Sequence, residues 1–280
     1  ANDDGFSESV QLRSNTFGLD AFYHFCDRNK LKFGAYYITE FRRGGNKFNL
    51  FPHQTDLTEQ LDHDIVSTNV AFEHLSKNNK HKVSLYGSMQ HIDRASYYGG
   101  GGRVLTAGDS LTSDDLLAIN AYGNSRDLST VSGLQYNFLL NSSLSIIAGS
   151  EYVYNDVQDD MPGYGRSIDQ RVGTWGSFAE VELKPTKKLT LLIGGRFDQL
   201  TIDGIYDLAS KQFINNEFLT VLVPRLSAMF KLKENLKIRA SFAQGYRGPQ
   251  AFDEDLHIET VGGAARFIQL EDNLEVERSN

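Results

Sequence analysis

The sequence predicts an all-β fold, an antiparallel up-and-down wall of a transmembrane β-barrel with long loops on one rim and short turns on the other. Three observations lead there. Segments of about ten residues alternate apolar and polar side chains, the period of a strand with two unlike faces. The connections between them alternate between short polar turns and long segments, so short ends gather on one rim and long ends on the opposite one. The 280 residues hold 18 Phe, 13 Tyr and 25 Gly at a mean hydropathy of −0.38, a composition that suits strands better than helices.

Ten strands are expected near 16–25, 31–41, 64–74, 81–93, 127–139, 144–154, 172–183, 189–200, 221–232 and 236–245, with an eleventh starting near 274. In the second, Leu31, Phe33, Ala35, Tyr37 and Phe41 share one face, while Lys32, Gly34, Tyr36 and Glu40 share the other. The same reading puts Leu85, Leu134, Ile146, Leu191, Leu226 and Ile238 on the lipid side, with Lys82, Glu151, Glu180, Arg196, Lys237 and Arg239 on the lumen side. Alternation alone also fits a soluble sandwich. The connections separate the two: turns at 26–30, 75–80, 140–143, 184–188 and 233–235 face long loops at 42–63, 94–126, 155–171, 201–220 and 246–273. A compact soluble domain rarely carries five loops of that length. Aromatics give a further check, gathering near both ends of the strands as interface girdles do. No window offers the roughly 18 consecutive apolar residues of a membrane helix.

The formal net charge of −8 disfavours a nucleic-acid partner, which calls for a basic face. The single cysteine, Cys26, falls in a polar turn and has no partner for a disulfide. The chain opens at Ala1 without a signal segment and stops at Asn280 as a strand begins, so it reads as an internal excerpt, with residues 1–280 forming part of one barrel domain.

Little in the chain points to covalent chemistry, a metal or a cofactor. Gly99-Gly100-Gly101-Gly102 lacks the strand and helix start of a phosphate-cradling loop and reads as a flexible loop. Asp156, Asp159 and Asp160 lack the spacing of a calcium loop and read as a solvated acidic segment. The seven histidines, His24, His53, His63, His74, His81, His91 and His257, show no zinc-like spacing. Nor is there a Gly-x-Ser-x-Gly nucleophile site, so an enzyme is not expected.

The C-terminal residues are the most specific. Val223-Pro224-Arg225-Leu226-Ser227 leads into a strand pair, followed by Tyr246-Arg247-Gly248-Pro249, and then by Asp272-Asn273-Leu274-Glu275-Val276-Glu277-Arg278-Ser279. This arrangement resembles the TonB-dependent outer-membrane receptors, in which a Phe/Tyr-Arg-Ala-Pro box ends one strand and an Asn-Pro-x-Leu box opens the next. Gly248 replaces the Ala, Glu271-Asp272 departs from the Asn-Pro, and Val276 stands in place of a Pro. Physically, Pro249 fixes φ and ends a ladder, and Arg247 is able to anchor a loop to a carboxylate.

The resemblance implies about half of a 22-stranded barrel in the bacterial outer membrane, surrounded by outer-membrane lipid. It implies active uptake of a scarce small-molecule nutrient of the siderophore-iron, haem or cobalamin class. An N-terminal plug domain and the remaining strands, neither of them in this chain, would link the barrel to the TonB complex. Tyr246, Arg247, Pro249, Asn273, Leu274 and Glu277 are the motif residues. In haem receptors of the family a histidine between the boxes resembles a ligand, which makes His257 a candidate ligand-binding residue; a plain loop histidine is the alternative. A passive porin, a complete barrel of about twelve strands, is the rival reading.

Overall fold

The computed structural model describes residues 10–208, 211–249 and 275–279. Ten of its strands form one sheet: β1 (Val10–Cys26), β2 (Asn29–Gly45), β3 (Thr58–Leu75), β4 (His81–Gly99), β5 (Tyr122–Asn141), β6 (Leu144–Met161), β7 (Arg166–Leu183), β8 (Leu189–Leu208), β9 (Lys211–Lys233) and β10 (Leu236–Ala243). Each pairs antiparallel with its sequence neighbour, in the order β1 to β10. This is an up-and-down wall without crossover connections. The described helices are small: α1 (Ser113–Asn120) and two single 3-10 turns, Pro52–Gln54 and Pro162–Tyr164, all in connections on one rim.

Register settles the faces, because residues opposite each other across an antiparallel ladder point to the same side. Leu85 faces Leu134, Leu191 faces Ala228, and Leu226 faces both Ile193 and Phe242. Following these pairs puts all six expected lipid-side residues on one face and all six expected lumen-side residues on the other. Leu85, Leu134, Leu226 and Ile238 are exposed despite being large and apolar, as a lipid-contacting surface requires.

The slope of the outward aromatics measures strand tilt. Tyr152 on β6 connects through Ser132, Gly87 and Val70 to Phe33 on β2, whereas the girdle residue on β2 is Tyr37, four residues further up. The girdle therefore climbs about one residue per strand. With a rise of about 3.3 Å per residue and about 4.8 Å between strands, the tilt is about 35°, which is that of a closing barrel.

Two expectations need correction. The strands run to 17 to 23 residues rather than ten, β10 excepted. Segments 155–171 and 201–220 are thus not loops but the upper halves of the β6–β7 and β8–β9 hairpins, and the connections at 42–63 and 94–126 shrink to 46–57 and 100–121. The reason is an inversion of polarity at the membrane edge. Within the lipid band Ile146, Tyr152, Ile193 and Phe197 point out while Glu151 and Arg196 point in. Above it Val157, Ile168, Ile202 and Tyr206 point in and are buried, while Asp156, Asp160 and Asp203 point out. Val157, Ile168 and Tyr206, joined by Phe213, make a small core of their own. The alternation continues but changes phase, so a search for one continuous oily face stops at the girdle.

Second, the sheet does not simply continue past β10. Gln244 makes the last in-register bond of the β9–β10 ladder, its N–H donating to Pro224 O at 3.2 Å, and the chain then leaves the wall. β11 (Gly245–Arg247) then pairs with β12 (Glu277–Ser279), the start of the expected eleventh strand.

Candidate functional site

The polar inner face of the wall is the candidate site, and one cross-strand row organises it. Tyr86, Gly133, Glu151, Gly176 and Asp198 stand opposite one another on β4 to β8. The glycines have a steric purpose. Tyr86 lies flat across β5 to donate its hydroxyl to Glu151 Oε2 at 2.8 Å, and a Cβ on Gly133 would sit 2.3 Å from its Cζ. From the other side Arg196 donates to Glu151 Oε1 at 3.1 Å and to Asp198 Oδ1 at 2.7 Å. One guanidinium thereby bridges two carboxylates on the lumen wall, a charge-assisted arrangement stronger than neutral hydrogen bonds.

Tyr246 of the Tyr-Arg-Gly-Pro segment joins the end of this row, its phenol beside Asp198. Strict alternation from Phe242 would have sent Tyr246 out to lipid. The break at Gln244 turns it inward instead. Pro249 is buried, and its carbonyl accepts from Asn215 Nδ2 at 3.4 Å. Arg247 and Glu277 stand opposite each other on the β11–β12 ladder. The expected residues Tyr246, Arg247, Pro249 and Glu277 are thus brought together at the upper end of the wall, while Asn273, Leu274 and His257 lie outside the described residues.

Above the girdle a second polar cluster faces inward. Asp159, only 2% exposed, lies 3.6 Å from Arg94 Nη2 through Oδ1 and 3.4 Å from Arg166 Nη2 through Oδ2. Ser125 donates to Asp159 and accepts from Arg94 Nε at 3.1 Å. Asp159 is therefore a buried ion-pair centre and not part of a solvated acidic segment, which corrects that expectation. The reason is again the inward turn of alternate residues above the membrane. Beside it the inner face forms a cavity of about 530 Å³, with Leu61, Ile92 and Val157 as apolar floor and Glu40, His63 and Arg94 among its polar groups. A concave surface with an apolar floor and a few placed charges is able to hold a small polar ligand.

The two connections over this mouth pack on each other. Gly101 N–H bonds to Asp56 O at 2.9 Å, and His53 Nδ1 lies 2.9 Å from the Tyr122 hydroxyl. A Cβ on Gly102 would sit 1.8 Å from His53 O. The glycine run is therefore a close-contact seam, not the flexible loop expected. Tyr97 is buried beneath it, which pushes its phenol pKa well up.

Sequence reasoning also missed α1, although Thr112-x-x-Asp115 carried a capping signal. Thr112 Oγ1 accepts from Asp115 N–H at 3.2 Å while Asp115 Oδ2 accepts from Thr112 N–H at 2.9 Å. The Thr112 backbone and hydroxyl bonds, reinforced by Arg103, hold the Asp115 carboxyl below the usual range. The lumenal row left no such local signal, because its members are spread over five strands. Among the described residues no group of three or more His, Cys, Asp or Glu is placed to hold a metal ion.

Comparison with known proteins agrees with this geometry. A family model described as "TonB dependent receptor-like, beta-barrel" matches residues 3–280. No curated protein sequence matches the chain. Among solved structures, the ferric-catecholate import receptor Fiu of E. coli K12 aligns at 11% identity and a TM-score of 0.64, over 87% of this chain and 44% of that one. The iron transporter FrpB of Neisseria meningitidis aligns at 14% identity and 0.64, over 98% and 42%. The ferric yersiniabactin uptake receptor FyuA of Yersinia pestis aligns at 14% and 0.61, over 85% and 38%. At these identities the likeness is one of fold. The chain spans under half the length of these structures.

Proposed function

The chain belongs to the TonB-dependent receptor β-barrel family of the bacterial outer membrane, and from that premise we propose that it forms one side of a receptor barrel for active uptake of a scarce nutrient, an iron chelate before haem or cobalamin. The observation that carries the proposal is the two-faced sheet, with an apolar belt outside and a charged row inside at the level of the girdle. Support for an iron chelate comes from the neighbours, whose names include ferric catecholate, ferric yersiniabactin and ferric citrate. The barrel wall acts by binding and positioning rather than by covalent chemistry. In this reading a plug domain and the remaining strands lie elsewhere in the protein, and the plug transmits the pull of the TonB complex.

Tyr246, Arg247, Pro249 and Glu277 serve to carry the chain off the wall and back, and Asn273 and Leu274 complete the motif. His257, between the two boxes, is the candidate ligand contact. The test is uptake of radiolabelled ferric siderophores, haem and cobalamin by cells with and without the parent gene, each with and without TonB. Gene- and TonB-dependent uptake of a ferric chelate is expected. Uptake that survives loss of TonB would refute energised transport, and a His257→Ala variant with unaltered uptake of every ligand would remove that residue from the site.

A further inference from the structure

Charge is spread very unevenly over the wall. The chain carries −8 overall with 36 acidic residues, yet its five short turns hold eight Lys or Arg against only Asp27 and Glu234. Eleven of the thirteen lysines lie in these turns or within two residues of them, the exceptions being Lys47 and Lys211 at the opposite rim. Of the fifteen arginines only Arg28 does so. A turn calls for polar residues but for no sign of charge, so a basic rim on an acidic chain points to an anionic surface beside it.

Backbone bonds lace the turns into one edge. Leu75 N–H donates to Arg28 O at 2.9 Å, Leu139 to Lys80 O, Lys184 to Ser143 O and Lys231 to Lys188 O, each of these three at 2.7 Å. Lys77, Lys184, Lys187 and Lys188 are exposed on that edge. Lys184 pairs with Glu182 at 2.7 Å, whereas Lys77, Lys187 and Lys188 have no carboxylate within ion-pair distance among the described residues.

Position decides what meets them. The outward apolar face runs down to the turns: Leu183, Leu189 and Leu232 lie on it, in register with Leu191 and Phe230 or in phase with them. Lys184, Lys188 and Lys233 are each next in sequence to one of these leucines. They start about 3 Å past the last apolar contact, within a headgroup layer about 5–8 Å thick. Barrel closure adds strands beside this wall and none outside it, so the outer side of the turns meets lipid whichever strands complete the ring. The choice of lysine agrees. A compact charge on a flexible stem snorkels to a plane of phosphates, whereas a shaped partner is better read by the rigid fork of arginine.

We propose that the short-turn rim is a binding surface for anionic phospholipid headgroups in the leaflet it enters, holding phosphatidylglycerol-type lipid against the wall. The inference rests on the barrel spanning the membrane and not on what is transported.

The experiment places the full-length receptor in phosphatidylcholine nanodiscs and uses spin-labelled phosphatidylglycerol or phosphatidylcholine to report the lipid immobilised at its surface. Phosphatidylglycerol should be enriched by about threefold or more at low salt, and should lose most of that preference near 1 M salt, where screening acts within about 3 Å. A Lys77→Gln/Lys187→Gln/Lys188→Gln variant should lose more than half of the preference, while Lys47→Gln/Lys211→Gln should keep it. No preference in the wild type, a preference indifferent to salt, or the same loss in both variants would overturn the proposal. So would a photo-crosslinker at position 187 that joins in cells to an acidic protein rather than to lipid. Heat-modifiable migration of every variant keeps a folding defect from being mistaken for lost lipid selectivity.

Discussion

Replacing Leu134 with Arg tests the face assignment and the tilt together. On β5 the girdle level falls near Thr130, obtained by moving one residue up from Val131, which stands opposite Val153 between the β6 girdle tyrosines. Leu134 lies four residues deeper. At about 2.7 Å of depth per residue on a strand tilted by about 35°, that is about 11 Å, close to the middle of an apolar band about 25 Å tall. Leu134 is 44% exposed, so an arginine there meets lipid rather than neighbouring strands. An outward Arg at mid-depth costs about 2–4 kcal/mol and less toward the interfaces. Ile146 sits near the start of β6, opposite Phe138, and is closer to the short-turn rim than the sequence suggested. Ile146→Arg should therefore cost less than Leu134→Arg. Gln135→Arg, on the lumen face next in sequence, loses only the 2.8 Å bond to Asn137, worth about 1 kcal/mol. Denaturant titration of the intact barrel in phosphatidylcholine vesicles reads all three. Equal losses at 134 and 135, or a larger loss at 146 than at 134, would refute the reasoning.

Gly133→Val should destabilise the barrel by about 1–3 kcal/mol, because its side chain displaces Tyr86 from Glu151; the same titration measures it, and an unchanged midpoint would show that the ring does not lie across β5. Asp159→Ala should cost about 3–5 kcal/mol locally by leaving the buried Arg94 and Arg166 without their shared carboxylate. Hydrogen exchange at residues 155–171 should accelerate while the amides of 144–152 keep their protection. The depressed Asp115 carboxyl gives α1 an acid limit: its stabilisation is present above the unfolded carboxylate pKa of about 4 and is lost as pH falls through the lower folded value. Exchange at 113–120 should quicken below that pH in the wild type, whereas an Asp115→Asn variant should be quick at neutral pH already.

Reading the chain for a single oily face found every strand of the ten-stranded wall and the side each residue takes within the membrane. It failed above the membrane for a definable reason. The strand needs no change of backbone there, only of environment: with lipid gone, apolar residues such as Val157 and Ile202 turn to the interior and aspartates to water. In sequence this phase change looks like the end of a strand. The glycine run misled in the same manner, since 99–102 reads as freedom when nothing shows that residues 53–57 press against it.

Sequence by itself determined the period-two pattern, the alternation of short and long connections and the Tyr-Arg-Gly-Pro box, because each is written in neighbouring residues and follows from local geometry. Only tertiary structure decided which residues meet. Tyr86, Glu151, Arg196, Asp198 and Tyr246 are spread over 161 positions of chain, and it is the register of four ladders, β4–β5 to β7–β8, that brings the first four together. The break at Gln244 then decides that Tyr246 faces the lumen. A one-residue departure from pairing exchanges the two faces of a strand, and no local preference of Gln244 announces where such a departure falls.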